Sequence, residues 1–493
     1  MCPSLSPSAT ANIRSRLNEA CTFGSKSLPY VSAIVYGKAT DTDTPVELLF
    51  HTATAKDTNT SEPSADDILW LASCTKLVTG IACMQLVEQG RLHLDDSSQV
   101  EELFPELREI KVLQDDGSLV EKIRGITLRM LLTHTAGFGY SFLNEKLCQY
   151  NEFSGDFRDF LQPLIHQPGD TFEYGISLDW AGILVERVTG MKLNDYIQQN
   201  ILLPLGIEDV SMVPSPEMKA RVVGIWQRGP QSSLTRRPYP LNTPLETPVI
   251  PDLFHSGGAG LFGSIREFGK LLATLLNSGK SPTTNTQTLT PKTVNLMFEN
   301  QLTNHPDFAR RPLPAIKPDL VHPVERLYPL CPPTKPQGWG LGLGMLSASE
   351  TGRSENTAHW SGLSNVYWWC DRDNGVAGIV ASQVLPFPDL GVVGLWAGVE
   401  RETTIPHSLH YLSPTTSVIK MSHPNRQTGT VKWYNDEKGF GFITSDFGGE
   451  LVVRKQSLRS QRSNSLKEGM KVSYEVLNEH HRILMADQVE PEE

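Results

Sequence analysis

Hydrophobic and polar positions divide the chain into stretches with different periods. Ala11–Thr22 suits a first helix, and Val31–Gly37 and Val46–Thr52 read as strands separated by the turn-rich Asp41-Thr42-Asp43-Thr44-Pro45. From Trp70 to Gly90 the period changes. Leu77, Ile81, Met84 and Val87 recur at spacings of three and four, Val78, Ala82 and Leu86 widen the stripe, and Gly90 is placed to close a helix. Residues 91–300 stay mostly helical in pattern, as in Leu128–Leu132, Leu178–Val188 before Gly190, and Ile265–Leu276 before Gly279. Residues 304–337 are proline-rich and irregular, which suits a long loop at the mouth of a site. Strand signals return at Trp339–Met345, Thr357–Ser361, Val366–Cys370 and Val376–Ser382, and Asp389–Arg401 reads as a last amphipathic helix. Strands at both ends with helices between them predict an α+β fold. One antiparallel sheet is built from both ends, flanked by helices, with an inserted helical domain.

The pattern changes again beyond residue 405. Residues 406–425 have a linker composition, and 426–490 read as a small all-β OB-type barrel. Gly429–Ile443 alternates like a hairpin, and Leu451-Val452-Val453 and Val472–Val476 are further short strands. Residues 1–405 are then the first domain.

Composition narrows the classes. At 493 residues there is room for two or three domains, and a net charge of -11 gives no global basic field to draw nucleic acid or acidic membranes. Seven cysteines, with no paired C-x-x-C, argue against a disulfide framework or a zinc site. Met1–Thr10 lacks the basic-then-apolar pattern of a secretory signal, and no stretch approaches the roughly 20 apolar residues of a membrane helix. The expectation is a cytoplasmic protein with no metal and no membrane partner.

Candidate chemistry begins with Ser73 and Lys76 at the front of the Trp70–Gly90 helix. Three residues apart, they face the same way, and first-turn amides favour negative charge there. A serine hydroxyl needs a neighbour to take its proton. Burial would lower Lys76 from the usual value of about 10.4 and fit it for that task. The four-residue pattern alone is weak, since Ser417-Val418-Ile419-Lys420 repeats it in the linker. Tyr174, just before the Leu178 helix, offers a phenol that could shuttle the proton; the plain alternative is a packing tyrosine. His359-Trp360-Ser361-Gly362-Leu363 precedes two strand signals, and Gly362 permits close approach of a ligand backbone or marks a bulge. His134, in Thr133-His134-Thr135-Ala136-Gly137, reads as a capping or buried structural residue. The glycine-rich Ser256–Ser264 run lacks the context of a phosphate loop and reads as tight backbone packing.

Ser73-x-x-Lys76, Leu132–Gly137, Tyr174, the Gly257–Gly263 run and Trp360-Ser361-Gly362 occur in the order seen in class C β-lactamases and penicillin-binding serine enzymes. The resemblance covers roughly residues 10–400. It implies a β-lactamase/transpeptidase-like fold and ping-pong acyl transfer without a cofactor, with Ser73, Lys76 and Tyr174 catalytic. It also implies an oxyanion hole made by the backbone amides of Ser73 and Leu363. Two departures bear on the substrate. Ile176 stands where the family's lactamases and peptidases have asparagine, and Trp360 where they have lysine. Without those polar groups the site favours a greasy substrate. That pattern is similar to family esterases and to fungal polyketide transesterases of the lovastatin acyltransferase type. Substrate contacts are then expected from Ile176, His359, Trp360, Ser361 and Gly362. Trp360, the 304–337 segment and the Phe138–Phe142 run would wall water out of the pocket.

The C-terminal barrel resembles a cold-shock domain. Lys432-Trp433-Tyr434-Asn435 and Lys438-Gly439-Phe440-Gly441-Phe442-Ile443 match its first nucleic-acid-binding motif. Lys432, Trp433, Phe440 and Phe442 are the expected contacts, the rings stacking on bases. The second motif is degraded, with Val452 for an aromatic and Arg454 for histidine. Residues 421–493 hold ten Lys/Arg against eleven Asp/Glu, so charge assists little.

The reading is a serine acyltransferase moving an acyl group from a CoA, carrier-protein thioester or ester donor onto a small apolar, secondary-metabolite-like acceptor. An esterase of the same family is the alternative. A single-stranded nucleic-acid-binding protein with an inactive hydrolase domain is the rival from another class. Weak nucleic-acid binding at the barrel is compatible with each.

Overall fold

The structure is a computed structural model. It describes every residue except 1–4, 23–26, 39–43, 56–63, 151–161, 230–232, 241–244, 246–253, 311–313, 324–333, 405–425, 437–439, 447–449, 459–465, 480–482 and 492–493. The predicted linker therefore lies outside the described residues, as do Lys438 and Gly439 of the barrel motif. Two units divide the chain, Met1–Tyr411 and Leu412–Glu493.

The first unit is organised by a seven-stranded antiparallel sheet. Its strands are β1 (Tyr30–Lys38), β2 (Pro45–Thr54), β3 (Gly338–Gly340), β4 (Gly344–Leu346), β5 (Ala358–Gly362), β6 (Val366–Asp371) and β7 (Val376–Ala381), in the order β3-β4-β5-β6-β7-β1-β2. Both ends of the unit thus meet in one sheet at the β7–β1 pair, where Ile34 faces Ile379. Strands β5, β6, β7 and β1 are buried almost throughout, because helices cover both faces. On one face lie α1 (Pro7–Thr22) and α5 (Leu390–Thr404), with His359 of β5 against Trp396 of α5. On the other lie α2 (Thr75–Glu88), α3 (Ser177–Thr189) and α4 (Ile265–Leu276). Tyr36 packs on α4 there, and the register Ile34–Ile379–Trp368–Trp360 carries the same face across to β5.

One expected strand divides in two. Trp339–Met345 forms a short hairpin, β3 and β4, instead of a continuous strand, because Gly342 takes φ +67 and turns the chain against Gly80 of α2. A Cβ on Gly342 would come within 2.7 Å of the Gly80 Cα.

The second unit is a closed five-stranded barrel of β8 (Arg426–Asn435), β9 (Phe440–Ser445), β10 (Glu450–Arg454), β11 (Lys471–Glu479) and β12 (Ile483–Pro491), ordered β8-β9-β10-β12-β11. Val431, Ile443, Leu451, Val453, Val472, Tyr474 and Ala486 fill it. Strand β12 has no counterpart among the segments the pattern predicted. Among the described residues, no helix is long and apolar enough to cross a membrane.

Candidate active site

Ser73 stands just ahead of α2, not inside it. Leu69–Trp70 pairs with Phe262–Gly263, and Leu71 N–H donates to Leu261 O at 2.9 Å. Trp70 N–H donates to Gln383 Oε1 at 3.1 Å and its carbonyl accepts the Ser364 hydroxyl at 2.7 Å, so side chains hold the backbone that leads into the turn. The chain then has to turn sharply, through a tight turn over Ala72–Cys74 with Ala72 at φ +45, before α2 begins at Thr75. Thr75 Oγ1 donates to Ala72 O at 2.7 Å and holds that turn. Ser73 is left half-buried at its tip.

Lys76 is 3% exposed, in the first turn of α2. Its Nζ reaches Ser73 Oγ at 3.2 Å, Tyr140 OH at 2.9 Å and Gly258 O at 2.9 Å. Two of the nitrogen's directions are thus engaged by fixed acceptors, and the third points at the serine. In the amine form that third direction is a lone pair, placed to receive the serine proton. The glycine-rich run does pack tightly, as its sequence suggests. It also supplies the Gly258 carbonyl, which no motif reading identified.

The phenol bonded to Lys76 is that of Tyr140. Tyr174 presents its ring instead, 4.9 Å from Nζ to the centroid, and its OH accepts Trp360 Nε1–H at 3.0 Å. Tyr140 lies in the aromatic run that the sequence suggested only as a wall. No spacing rule links it to Lys76, so only its nearness to the His134 motif could have drawn attention to it. Burial, reinforced by Tyr174 and Asp179, holds its phenol well above the usual value of 10.

His134 is structural in a specific way. It is fully buried at φ +55; its carbonyl accepts Glu173 N–H at 2.8 Å and its Nδ1 accepts Gly175 N–H at 3.3 Å. Both amides flanking Tyr174 are thus clamped. The second bond leaves the proton on Nε2. Burial, with Lys76 nearby, keeps the imidazole well below 6.5 and neutral.

The end of β5 brings Gly362 against the Ala72–Cys74 turn, where a Cβ would come within 2.5 Å of Leu71 O. Its missing side chain lets β5 close on that turn, with Leu363 next in the chain. The remaining expected substrate contacts are placed otherwise. Trp360 is 3% exposed, wedged against Trp339 at 4.6 Å and Tyr174 at 4.9 Å between centroids, so it orients Tyr174 more than it faces open space. Ile176 is a core residue at 2% exposure, at the start of α3. His359 points to the opposite face of the sheet, bonded to Ser347 at 2.9 Å and packed on Trp396, because side chains alternate along β5. Ser361 is buried at 5%.

The expected walls meet in part: Phe138 is buried against Trp180 instead, and residues 311–313 and 324–333 of the 304–337 segment lie outside the described residues. Phe142 stacks on Tyr140 at 4.8 Å, Ile316 N–H bonds Phe142 O, and Leu320 and Val321 join the cluster of Phe142, Leu143, Trp70 and Ala72. Tyr140, Tyr174, Leu363, Tyr239, Leu245 and Ala315 pack on that cluster as partly exposed apolar surface. Beneath Ser73, a crevice between Lys76, Leu77, Leu178, Trp339, Leu343 and Trp360 is too tight for water.

In the barrel, β8 and β9 set Trp433 opposite Phe442 and Asn435 opposite Phe440, past a bulge after Val431. Trp433 lies 5.4 Å from Phe440 and 5.5 Å from Phe442, and Trp433 and Phe440 are 37% and 36% exposed. Lys432 is exposed beside them. The structure therefore gathers the four expected positions on one hairpin.

An antiparallel sheet between helical layers, with a serine–lysine pair at the front of a buried helix, defines a serine enzyme of acyl-transfer type. The chain belongs to the beta-lactamase family, whose model matches residues 39–398; residues 427–491 match the 'Cold-shock' DNA-binding domain. It is 34% identical to a lovastatin esterase of Penicillium rubens over 65% of this chain and 81% of that protein. It is 31% identical to the monacolin J acid methylbutanoyltransferase of Aspergillus terreus, over 65% and 77%. The unliganded, selenomethionyl structure of simvastatin synthase (LovD) from Aspergillus terreus superposes with a TM-score of 0.65 at 27% identity, covering 82% of this chain and 99% of that one.

Proposed function

We propose that the first unit is an acyltransferase working through an acyl-Ser73 intermediate. Ser73 Oγ attacks the carbonyl of an acyl thioester or ester as its proton passes to the Lys76 amine. The amides of Ser73 and Leu363 hold the oxyanion, and the leaving thiol or alcohol departs with the proton from Lys76. An acceptor hydroxyl then repeats the sequence in reverse, ending as an ester with Ser73 restored. Tyr140 and Tyr174 flank the lysine and steady each proton transfer. The observation that carries this reading is the 3.2 Å contact of Lys76 Nζ with Ser73 Oγ, the nitrogen's other directions being engaged by Tyr140 and Gly258.

The partly exposed Tyr140, Tyr174, Leu245, Ala315 and Leu363 around an apolar cluster support a greasy acceptor. The names of the relatives support a short branched acyl group and a polyketide-like alcohol. A CoA or carrier-protein thioester is the donor class in this proposal. Among the described residues, the buried free thiols Cys21, Cys74, Cys83 and Cys370 support a reducing, cytoplasmic setting. The esterase reading keeps specific support in the 34% identity to an esterase. Product partitioning separates the two. The enzyme is given one acyl thioester and a panel of polyketide-like alcohols, and free acid is weighed against new ester by mass spectrometry. Accumulated acyl-enzyme that drains only on addition of an alcohol upholds the transferase; fast release of acid with every acceptor overturns it. For the barrel, the exposed Trp433 and Phe440 support weak binding of single-stranded nucleic acid.

A further inference from the structure

Asp179 lies in the first turn of α3, 2% exposed. Its Oδ1 accepts the Ser256 hydroxyl at 2.6 Å and the Gly258 amide at 2.9 Å. Ser256 Oγ in turn accepts Ala259 N–H at 2.9 Å. That N–H belongs to the peptide whose carbonyl, Gly258 O, accepts Lys76 Nζ at 2.9 Å. One directed chain of hydrogen bonds therefore runs from Lys76 through the Gly258–Ala259 peptide and the Ser256 hydroxyl to a buried carboxylate. Each bond polarises the next, which strengthens acceptance at the lysine end. The approach is close: a Cβ on Gly258 would come within 2.3 Å of Asp179 Oδ2, so only glycine fits there.

We propose that Asp179 is a positioning residue for the acyl-transfer site, the buried counter-charge that aims Lys76 at Ser73 and sets the pH at which Lys76 can take the serine proton. The proposal rests on the reading of Ser73 and Lys76 given above. Among the described residues, the other titratable groups facing Lys76 are Tyr140 and Tyr174 from their loops, His134 beyond the Leu128–Leu132 helix, and Cys74 from the Ala72–Cys74 turn. Burial holds the Tyr140 phenol and the Cys74 thiol up and the His134 imidazole down, so these three stay neutral. Burial raises Asp179 above the usual carboxylate value, while the Lys76 charge and the hydrogen bonds from Ser256 and Gly258 work against that rise and favour its ionised form.

Asp179→Asn tests this without changing shape, because both hydrogen bonds fall on Oδ1, an atom asparagine keeps as an acceptor. Removing the negative charge disfavours the ammonium. The acid limb of kcat/KM, and of Ser73 labelling by a fluorophosphonate, should therefore move to lower pH by about one unit. Ser256→Ala, which keeps the carboxylate and its Gly258 bond, should move both in the same direction by less. Asp179→Asn is checked for folding by its thermal transition, and if it fails to fold Ser256→Ala carries the test. Loss of rate with the limb unmoved in every variant that folds would leave Asp179 a mere loop latch and overturn the proposal. Wild-type protein that is not labelled at Ser73 would instead overturn the acyl-enzyme reading beneath it.

Discussion

The chain carries two aromatic clusters and builds them in opposite ways. Around Ser73, Trp360, Trp339, Tyr174 and Tyr140 come from four separated segments, and Trp360 is 3% exposed. In the barrel, Trp433, Phe440 and Phe442 come from one hairpin, and Trp433 is 37% exposed. The first cluster uses its rings as a frame: they orient phenols, desolvate an amine and keep water out of the crevice. The second presents ring faces to solvent, where they are free to stack on a partner. Burial therefore separates the framework rings Trp339 and Trp360 from the contact rings Trp433 and Phe440, while the partly exposed Tyr140 and Tyr174 serve as both.

The sharpest break between the clusters is covalent. Ser73→Ala should abolish labelling by a fluorophosphonate or activated acyl ester, read as adduct mass on the intact protein. A persistent adduct, or one mapped to Cys74, would falsify Ser73 as the nucleophile.

The frame itself comes next. Lys76→Ala, Tyr140→Phe and Tyr174→Phe should each lower kcat by about 10²–10⁴-fold, with the double tyrosine variant less than additive, because both phenols serve one lysine. Full additivity in single-turnover kinetics would mean that they act independently. Trp360→Phe, which keeps a ring but loses the N–H donated to Tyr174, should fall short of either tyrosine variant.

In the barrel, Phe440→Ala should weaken binding of a pyrimidine oligonucleotide by about 5- to 150-fold, corresponding to about 1–3 kcal/mol for a lost stack. Its thermal stability should hardly change, since the ring is 36% exposed. Fluorescence anisotropy at low salt measures the first effect, and no binding by the wild type would leave the rings without a partner.

Acid should act on the first unit through its framework. His134 and His359 are fully buried, and burial holds both well below 6.5. Below about pH 6.5 the unfolded chain takes up protons that the folded one refuses, so stability is present above that pH and declines as pH falls. The slope approaches about 1.4 kcal/mol per pH unit for each histidine. Urea midpoints at pH 7.5 and 5.5 check this, and His359→Gln should flatten the dependence.

The smallest effect expected is none. A chain ending near residue 424 should transfer acyl groups within about twofold of the full-length rate, because Ser73, Lys76, Tyr140, Tyr174 and Gly258 all lie in the first unit. A large loss would mean that the barrel takes part in the reaction.

Much of this was legible beforehand for a physical reason. Periodicity reports local burial, so β1, β2, β5, β6, β7 and the long helices fall where the apolar pattern predicts, to within a few residues. The Ser73–Lys76 pair and the Trp433–Phe442 hairpin were also readable, because residues three apart on a turn and opposite each other in a hairpin are neighbours by local geometry. His359 and Ile176 were misplaced for the converse reason. Their nearness in sequence to Trp360 and Tyr174 said nothing about the face of β5 or the core side of α3.

What the sequence determined by itself, then, was the set of elements, the serine–lysine pair and the barrel's exposed rings. All of these depend on the period of one segment or on contacts within a few residues. Tertiary structure alone decided that Tyr140 bonds Lys76, that Trp360 steers Tyr174, that His134 clamps both amides beside that tyrosine, and that Gly258 and Asp179 stand behind the lysine. Those contacts join segments tens to nearly two hundred residues apart. Their partners are fixed by how the sheet and helices pack, and no local period encodes such a distance.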